Sequence, residues 1–105
     1  MHHLNNKQIY IIDQMTGYLS YVPRELRSVN LNAAMVLLLF EKIRSFQNEE
    51  TVVIEEAFTL DERRMVVQVA DHFLLEEEKN CYQAMTGSTL EELSEIKNLF
   101  ERTCQ

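Results

Sequence analysis

Apolar and polar positions along this chain switch between a short and a long period, and the switches mark the expected elements. Gln8–Ile12 is dense in β-branched and aromatic residues, as is Tyr18–Val22, and Asp13–Gly17 between them has turn character. That order predicts a β-hairpin, with Pro23 ending the second strand or holding it at an edge. A helix is expected next, capped by Ser28 or Asn30 and running to about Phe46. Its middle, Ala33–Phe40, is apolar on nearly every side, which predicts central burial in the core or sharing with another chain. Gln47–Glu50 reads as a loop, and Thr51–Glu55, with three consecutive β-branched apolar residues, as a central strand.

Thr59 and Glu62 then form a T-x-x-E capping box. The helix they open should reach about Glu76, with Val66, Val69, Ala70 and Phe73 on its inner face and Val67 and Leu74 extending it. Glu76, Glu77 and Glu78 fall at the negative end of that helix's dipole, where each exposed acid costs about 0.3–1 kcal/mol. Either the helix stops before them or they have a partner. Asn80–Gly87 is ambiguous, with room for a short edge strand, and Ser88-x-x-Glu91 reads as a second capping box. The helix after it carries Leu90, Leu93, Ile96, Leu99 and Phe100 along one side. The sum is an α+β fold: a short antiparallel or mixed sheet of about three strands, with two or three helices packed on one face. Residues 1–105 are expected to form a single domain.

Charge changes the picture once it is divided. The formal net charge is −7. Residues 1–48 hold five basic side chains against three acidic ones, for +2, and residues 49–105 hold five against fourteen, for −9. A phosphate backbone would be repelled by most of the second half and tolerated only near the first. Cys81 and Cys104 have no metal-ligand spacing, so free thiols in a reducing compartment are expected. The longest apolar run has eight residues, Ala33–Phe40, far short of the roughly 20 needed to span a bilayer. The first ten residues lack the apolar core of a signal peptide. A cytoplasmic location, or a nuclear one in a eukaryote, follows as the expectation.

The stretch from Leu37 to Leu75 resembles the Arg-x-x-x-His domain, a small fold that binds single-stranded nucleic acid. That family has a helix, a strand, and then a helix with an arginine in its first turn, a histidine four residues on, then an alanine and a closing leucine. Setting Ala70 and Leu75 at the alanine and leucine puts Arg63 at the arginine and Val67 at the histidine. The family's serine- and glycine-bearing loop and its arginine-bearing last strand are replaced by Glu76–Glu78 and the segment after them. The resemblance implies a nucleic-acid-binding ancestry in which Arg63 offers a forked donor and Val67 offers none, leaving the fold as an interaction scaffold.

No pattern in the chain specifies a reaction or a cofactor: there is no Gly-rich phosphate loop, nucleophile elbow or metal-ligand spacing. Asp71-His72 is read as part of the solvated side of an amphipathic helix, and His2-His3, which could take copper or nickel weakly, as a disordered end. The expected function is that of a non-enzymatic, regulatory protein-interaction module, monomeric or homodimeric, meeting a basic or amphipathic surface of another protein. Its candidate contacts are Glu76, Glu77, Glu78, Glu91, Glu92 and Glu95, with Leu93, Ile96 and Phe100 as an apolar centre. The alternatives are a single-stranded RNA or DNA binder and an acidic inhibitor that imitates nucleic acid. The binder would use Arg63, Arg64, Arg24, Arg27, Lys42 and Arg44, with Tyr10, Tyr18 or Tyr21 for base stacking.

Overall fold

The computed structural model of the chain describes residues 1–22, 31–80 and 89–105, with the backbone alone over 76–80. Its elements are β1 (His3–Asn5), α1 (Asn6–Tyr21), α2 (Ala33–Arg44), β2 (Thr51–Val53), α3 (Ile54–Ala57), α4 (Leu60–Asn80) and α5 (Leu90–Thr103). The fold is mixed α+β, with helix dominant. Among the described residues the sheet is an antiparallel two-stranded ribbon, pairing His3 with Val53, Leu4 with Val52 and Asn5 with Thr51. About three strands covered on one face were expected; among the described residues there are two, and two helix pairs, α1 with α2 and α4 with α5, pack around a shared core.

The hairpin expected over Gln8–Val22 is instead α1, and Val22 is its C-cap. Local β-propensity lost to two helical signals. Asn5 and Gln8 close a capping box, with Gln8 N–H donating to Asn5 Oδ1 at 2.8 Å and Asn5 N–H to Gln8 Oε1 at 2.9 Å. Ile9, Ile12, Thr16 and Leu19 then fall along one side of a 3.6-residue spiral, with Ile11 and Met15 beside them, and all six are buried. The hydroxyl of Thr16 is satisfied within the helix, donating to Ile12 O at 2.8 Å. Gly17, expected in a turn, lies inside the helix where α2 comes close: a Cβ there would sit 2.9 Å from Phe40 Cε1.

The other boundaries shift for equally local reasons. Asn32, rather than Ser28 or Asn30, caps α2, its Oδ1 accepting from Ala34 N–H at 2.8 Å and Met35 N–H at 3.3 Å. Lys42 and Arg44 close α2 where its dipole favours cations. The predicted strand Thr51–Glu55 ends at Val53, and the buried Ile54 starts the single turn of α3. The Thr59–Glu62 box holds, with Glu62 N–H to Thr59 Oγ1 at 3.2 Å and Thr59 N–H to Glu62 Oε1 at 2.8 Å. Helix α4 does not stop before the acidic triplet but continues through it to Asn80. The segment Asn80–Gly87, with its room for an edge strand, therefore begins on a helical residue, and the rest of it lies outside the described residues. Thr89 and Glu92, one position on from the expected pair, cap α5 at 3.1 and 3.0 Å.

An aromatic line ties the segments after α2 and α3 to α5. Phe58 meets Phe46 and Phe100 edge-on, with ring centroids 5.7 Å apart in each case. The N-terminus, expected to be disordered, is instead clasped to the start of α3. His2 O accepts from Ile54 N–H at 2.9 Å, His2 N–H donates to Glu55 Oε1 at 2.9 Å, and His2 Nδ1 lies 2.7 Å from Glu55 Oε2.

The hydrogen bond from the His2 ring, then that from its backbone N–H, lowers the Glu55 pKa from 4.5 to about 2. Between those values the folded chain binds fewer protons than the unfolded chain. The clasp's contribution is therefore complete above pH 4.5 and is lost as pH falls toward about 2. Urea unfolding across this window should show a shallower acid loss in Glu55→Gln than in the parent. Parallel acid limbs in the two proteins would remove the clasp from the explanation.

Candidate functional site

Helix α2 is the element whose surface is least like its surroundings. It packs chiefly on α1, burying Val36, Leu39 and Ile43. Because its sequence is apolar on every side, the side turned away from α1 is apolar too. Ala33, Ala34, Met35, Leu37 and Leu38 are all exposed, with Met35 at 47%, Leu37 at 45% and Leu38 at 65%. Of central burial and sharing with another chain, the two readings of Ala33–Phe40, this exposure excludes complete central burial. Isolated exposed leucines are ordinary, whereas here large apolar side chains are exposed together around the outer half of one helix.

Beside this face lies an open cleft of about 790 Å³. Leu31, Asn32 and Met35 form one wall, Asp61, Arg64, Met65, Val67 and Gln68 of α4 form another, and Glu101, Cys104 and Gln105 close the end. The end is formed because α5 returns antiparallel along α4, with Lys97 beside Asp71 and Thr103 beside Arg63. Leu38 stands one turn beyond Met35 on the same side of α2, so the exposed apolar face continues into the cleft. Met35 and Met65 give the walls flexible, polarizable side chains suited to irregular apolar guests. Glu41 on the outer side of α2, and Asp61 and Glu101 across the cleft, are exposed. Arg64 is also solvent-facing and only loosely paired, 3.9 Å from Asp61.

Of the basic residues expected to meet phosphate, Arg63 and Lys42 are half-buried and committed to contacts within the fold, whereas Arg64 and Arg44 are exposed. Arg63 Nη1 donates to Thr103 O at 2.8 Å and Nε to Thr59 O at 3.3 Å, so its fork joins the start of α4 to the end of α5. Val67, at the position of the family histidine, is half-buried in the cleft wall. Lys42 Nζ donates to Glu62 Oε1 at 2.7 Å and Ala57 O at 3.2 Å, and lies 5.9 Å from the Phe58 ring centroid. Partial burial opposes the charge on Glu62, but Lys42 and the Thr59 N–H outweigh it and hold that carboxyl below its usual range. Arg44 lies over the Phe40 ring at 4.7 Å, with Nε 3.3 Å from Oδ1 of the buried Asp13. No hydrogen bond forms there, so the contact is one of charge alone. Arg24 and Arg27 lie outside the described residues.

The expected partner surface on α5 is largely internal. Leu93, Ile96 and Phe100 are fully buried, so they form core and not the apolar centre of an interface. Glu92 is engaged by Lys7 Nζ at 2.6 Å and by its own cap, which together lower its pKa. Glu91 and Glu95 are exposed. Glu76, Glu77 and Glu78 belong to α4 by backbone, and their side chains are outside those described. Asp71 binds Lys97 at 2.7 Å, a hydrogen bond that raises the lysine pKa. His72, expected on the polar surface, is buried edge-on against Phe73, with centroids 5.7 Å apart. Cys104 is a free, half-buried thiol, and Cys81 lies outside the described residues.

Among the described residues no cluster of three or more His, Cys, Asp or Glu side chains is placed to hold a metal ion. No helix there is long and apolar enough to cross a membrane. Comparisons with protein-family models, with curated proteins and with solved structures find no match to this chain.

Proposed function

We infer that this protein is a non-enzymatic interaction module that binds another protein through the outer face of α2 and the cleft beside it. The observation carrying this reading is the contiguous exposure of Met35, Leu37 and Leu38 next to an apolar-walled groove. Anchor residues near the centre of such a patch dominate binding when they are desolvated, and Leu38 is the most exposed large apolar residue of α2. Leu38→Glu should reduce capture of a stoichiometric partner tenfold or more, by roughly 1.4 kcal/mol or above. Folding should be unaffected, because the side chain already faces water. The charge-reversed pair Glu91→Lys/Glu95→Lys on α5 should leave capture near that of the parent. Quantitative affinity capture followed by denaturant unfolding reads both effects, and undiminished recovery with Leu38→Glu would exclude this face.

A second reading, single-stranded nucleic-acid binding, draws support from a different side of the molecule. Tyr10 and Tyr21 are exposed and lie eleven positions apart, close to three full turns, hence on one side of α1. Arg44 borders the surface hollows next to both tyrosines. Two stacking platforms with a cation between them suit an unpaired strand. On that reading an oligonucleotide binds in a salt-sensitive manner and loses affinity in Tyr21→Ala, with Leu38→Glu unaffected.

A further inference from the structure

We propose that the occupant of the α2 cleft is a cationic amphipathic helix of another protein, laid along the groove with its apolar stripe inward. The inference rests on the interaction reading above and adds the chemistry of the partner. Three features of the groove favour this occupant. Met35 belongs both to the open face of α2, one turn from Leu38, and to the cleft wall facing Met65 of α4, so apolar side chains run from the helix face into the cleft as an i, i+3, i+7 stripe requires. Exposed carboxylates border this path, Glu41 on the outside of α2, Asp61 on the α4 wall and Glu101 at the end of the cleft. An amphipathic helix with lysine or arginine on both shoulders of its stripe meets that arrangement. The wider field acts in the same direction, because residues 49–105 carry a charge of −9 and steer a cationic partner toward the molecule.

A second copy of this chain fits less well. Each copy carries a net charge of −7, and two-fold pairing on α2 would bring both copies of Glu41 and both acidic cleft rims to one interface, where like charges repel. An acidic helix would meet the same repulsion. Among the described residues Arg64 is the one basic side chain in the cleft lining, and it is set against the two acids there.

The probe is a fluorescently labelled helical peptide of about 18 residues built from leucine and lysine, with a twin carrying glutamate in place of lysine. The lysine peptide should bind, and binding should weaken as salt rises. The double variant Asp61→Lys/Glu101→Lys should lower its affinity about tenfold or more. Glu49→Lys/Glu50→Lys, with the same change in net charge in an exposed loop, should leave it within about threefold. Leu38→Glu should also weaken it, separating docking on this path from attraction to the whole molecule. Equal loss in both lysine double variants would overturn the proposal, since it would report net charge alone. So would equal or tighter binding of the glutamate peptide, or sedimentation of the parent as a dimer that Leu38→Glu converts to monomer. If neither peptide binds while Leu38→Glu still releases a natural partner, the partner chemistry falls and the interaction reading stands.

Discussion

Leu93→Asp is expected to unfold the protein. Leu93 is fully buried where α5 packs against the core. Removing a buried leucine costs about 2–5 kcal/mol, and placing a carboxyl group there adds the desolvation of a polar group without a partner. The sum, at least about 4 kcal/mol, approaches the whole stability of a domain this size, about 5–15 kcal/mol. The neighbouring substitution Glu95→Arg, on the exposed side of the same helix, should change stability by no more than about 0.5 kcal/mol. Urea unfolding followed by circular dichroism separates the two. A Leu93→Asp protein with a cooperative transition within about 1 kcal/mol of the parent would mean that α5 is not packed against the core. The consequence for function is direct: loss of partner binding in Leu93→Asp reports loss of fold, whereas the same loss in Leu38→Glu reports loss of a surface.

Helix α4 is legible in the amino-acid sequence because its cap and its apolar spacing agree. Thr59 and Glu62 mark its start, and the buried Val66, Val69, Ala70 and Phe73 follow the spacing that the sequence displays. The expected hairpin fails because strand propensity speaks for only five residues at a time. Ile9, Ile11 and Ile12 are individually good strand formers, yet the Asn5–Gln8 box and the three- and four-residue spacing out to Leu19 select a helix over sixteen. Gly17 is misleading in the same direction, since it lies inside the helix where Phe40, a residue distant in sequence, comes close. Thr51–Val53 is strand as its composition predicts, but its length is set by the short ribbon available in β1, which no local signal in Thr51–Glu55 announces.

Candidate-site residues are less legible, and the cause is again non-local. Charge counts treat every arginine and lysine as available, whereas Lys42 and Arg63 each close a contact with residues 20 and 40 positions away. An apolar stripe such as Leu93, Ile96 and Phe100 reads the same in sequence whether it faces a core or a partner. Helix α2 carries the opposite ambiguity. Its apolar run could be satisfied by central burial or by another chain, and only the packing of its neighbours decides how much remains uncovered. With α1 covering one side, Val36, Leu39 and Ile43 are buried and Leu37 and Leu38 are left outside. The signal that could have found the surface is the unbroken run itself, which supplies more apolar faces than a helix in a chain of 105 residues can hide.

Arg63→Ala should lower stability by about 1.5–3 kcal/mol, the range for a hydrogen bond made by a charged group. Its guanidinium reaches two carbonyls at once, Thr59 O at the start of α4 and Thr103 O in the last turn of α5. The second is among the carbonyls that a helix end leaves without an internal partner, so losing the arginine frees the C-terminal turn of α5. Amide exchange should quicken over Phe100–Thr103 and not over the buried middle of α4. Arg63→Lys should recover only part of the loss, since an ammonium cannot span both acceptors as a planar fork does. The same substitution bears on the resemblance to single-strand binders. An arginine held by two backbone carbonyls is not offered to phosphate, so Arg63→Ala should leave oligonucleotide affinity at the parent's level while stability falls. Unchanged stability together with lost, salt-dependent binding of a short unpaired strand would reverse the assignment, returning Arg63 to the solvent and to the role its place in the first turn of α4 implies.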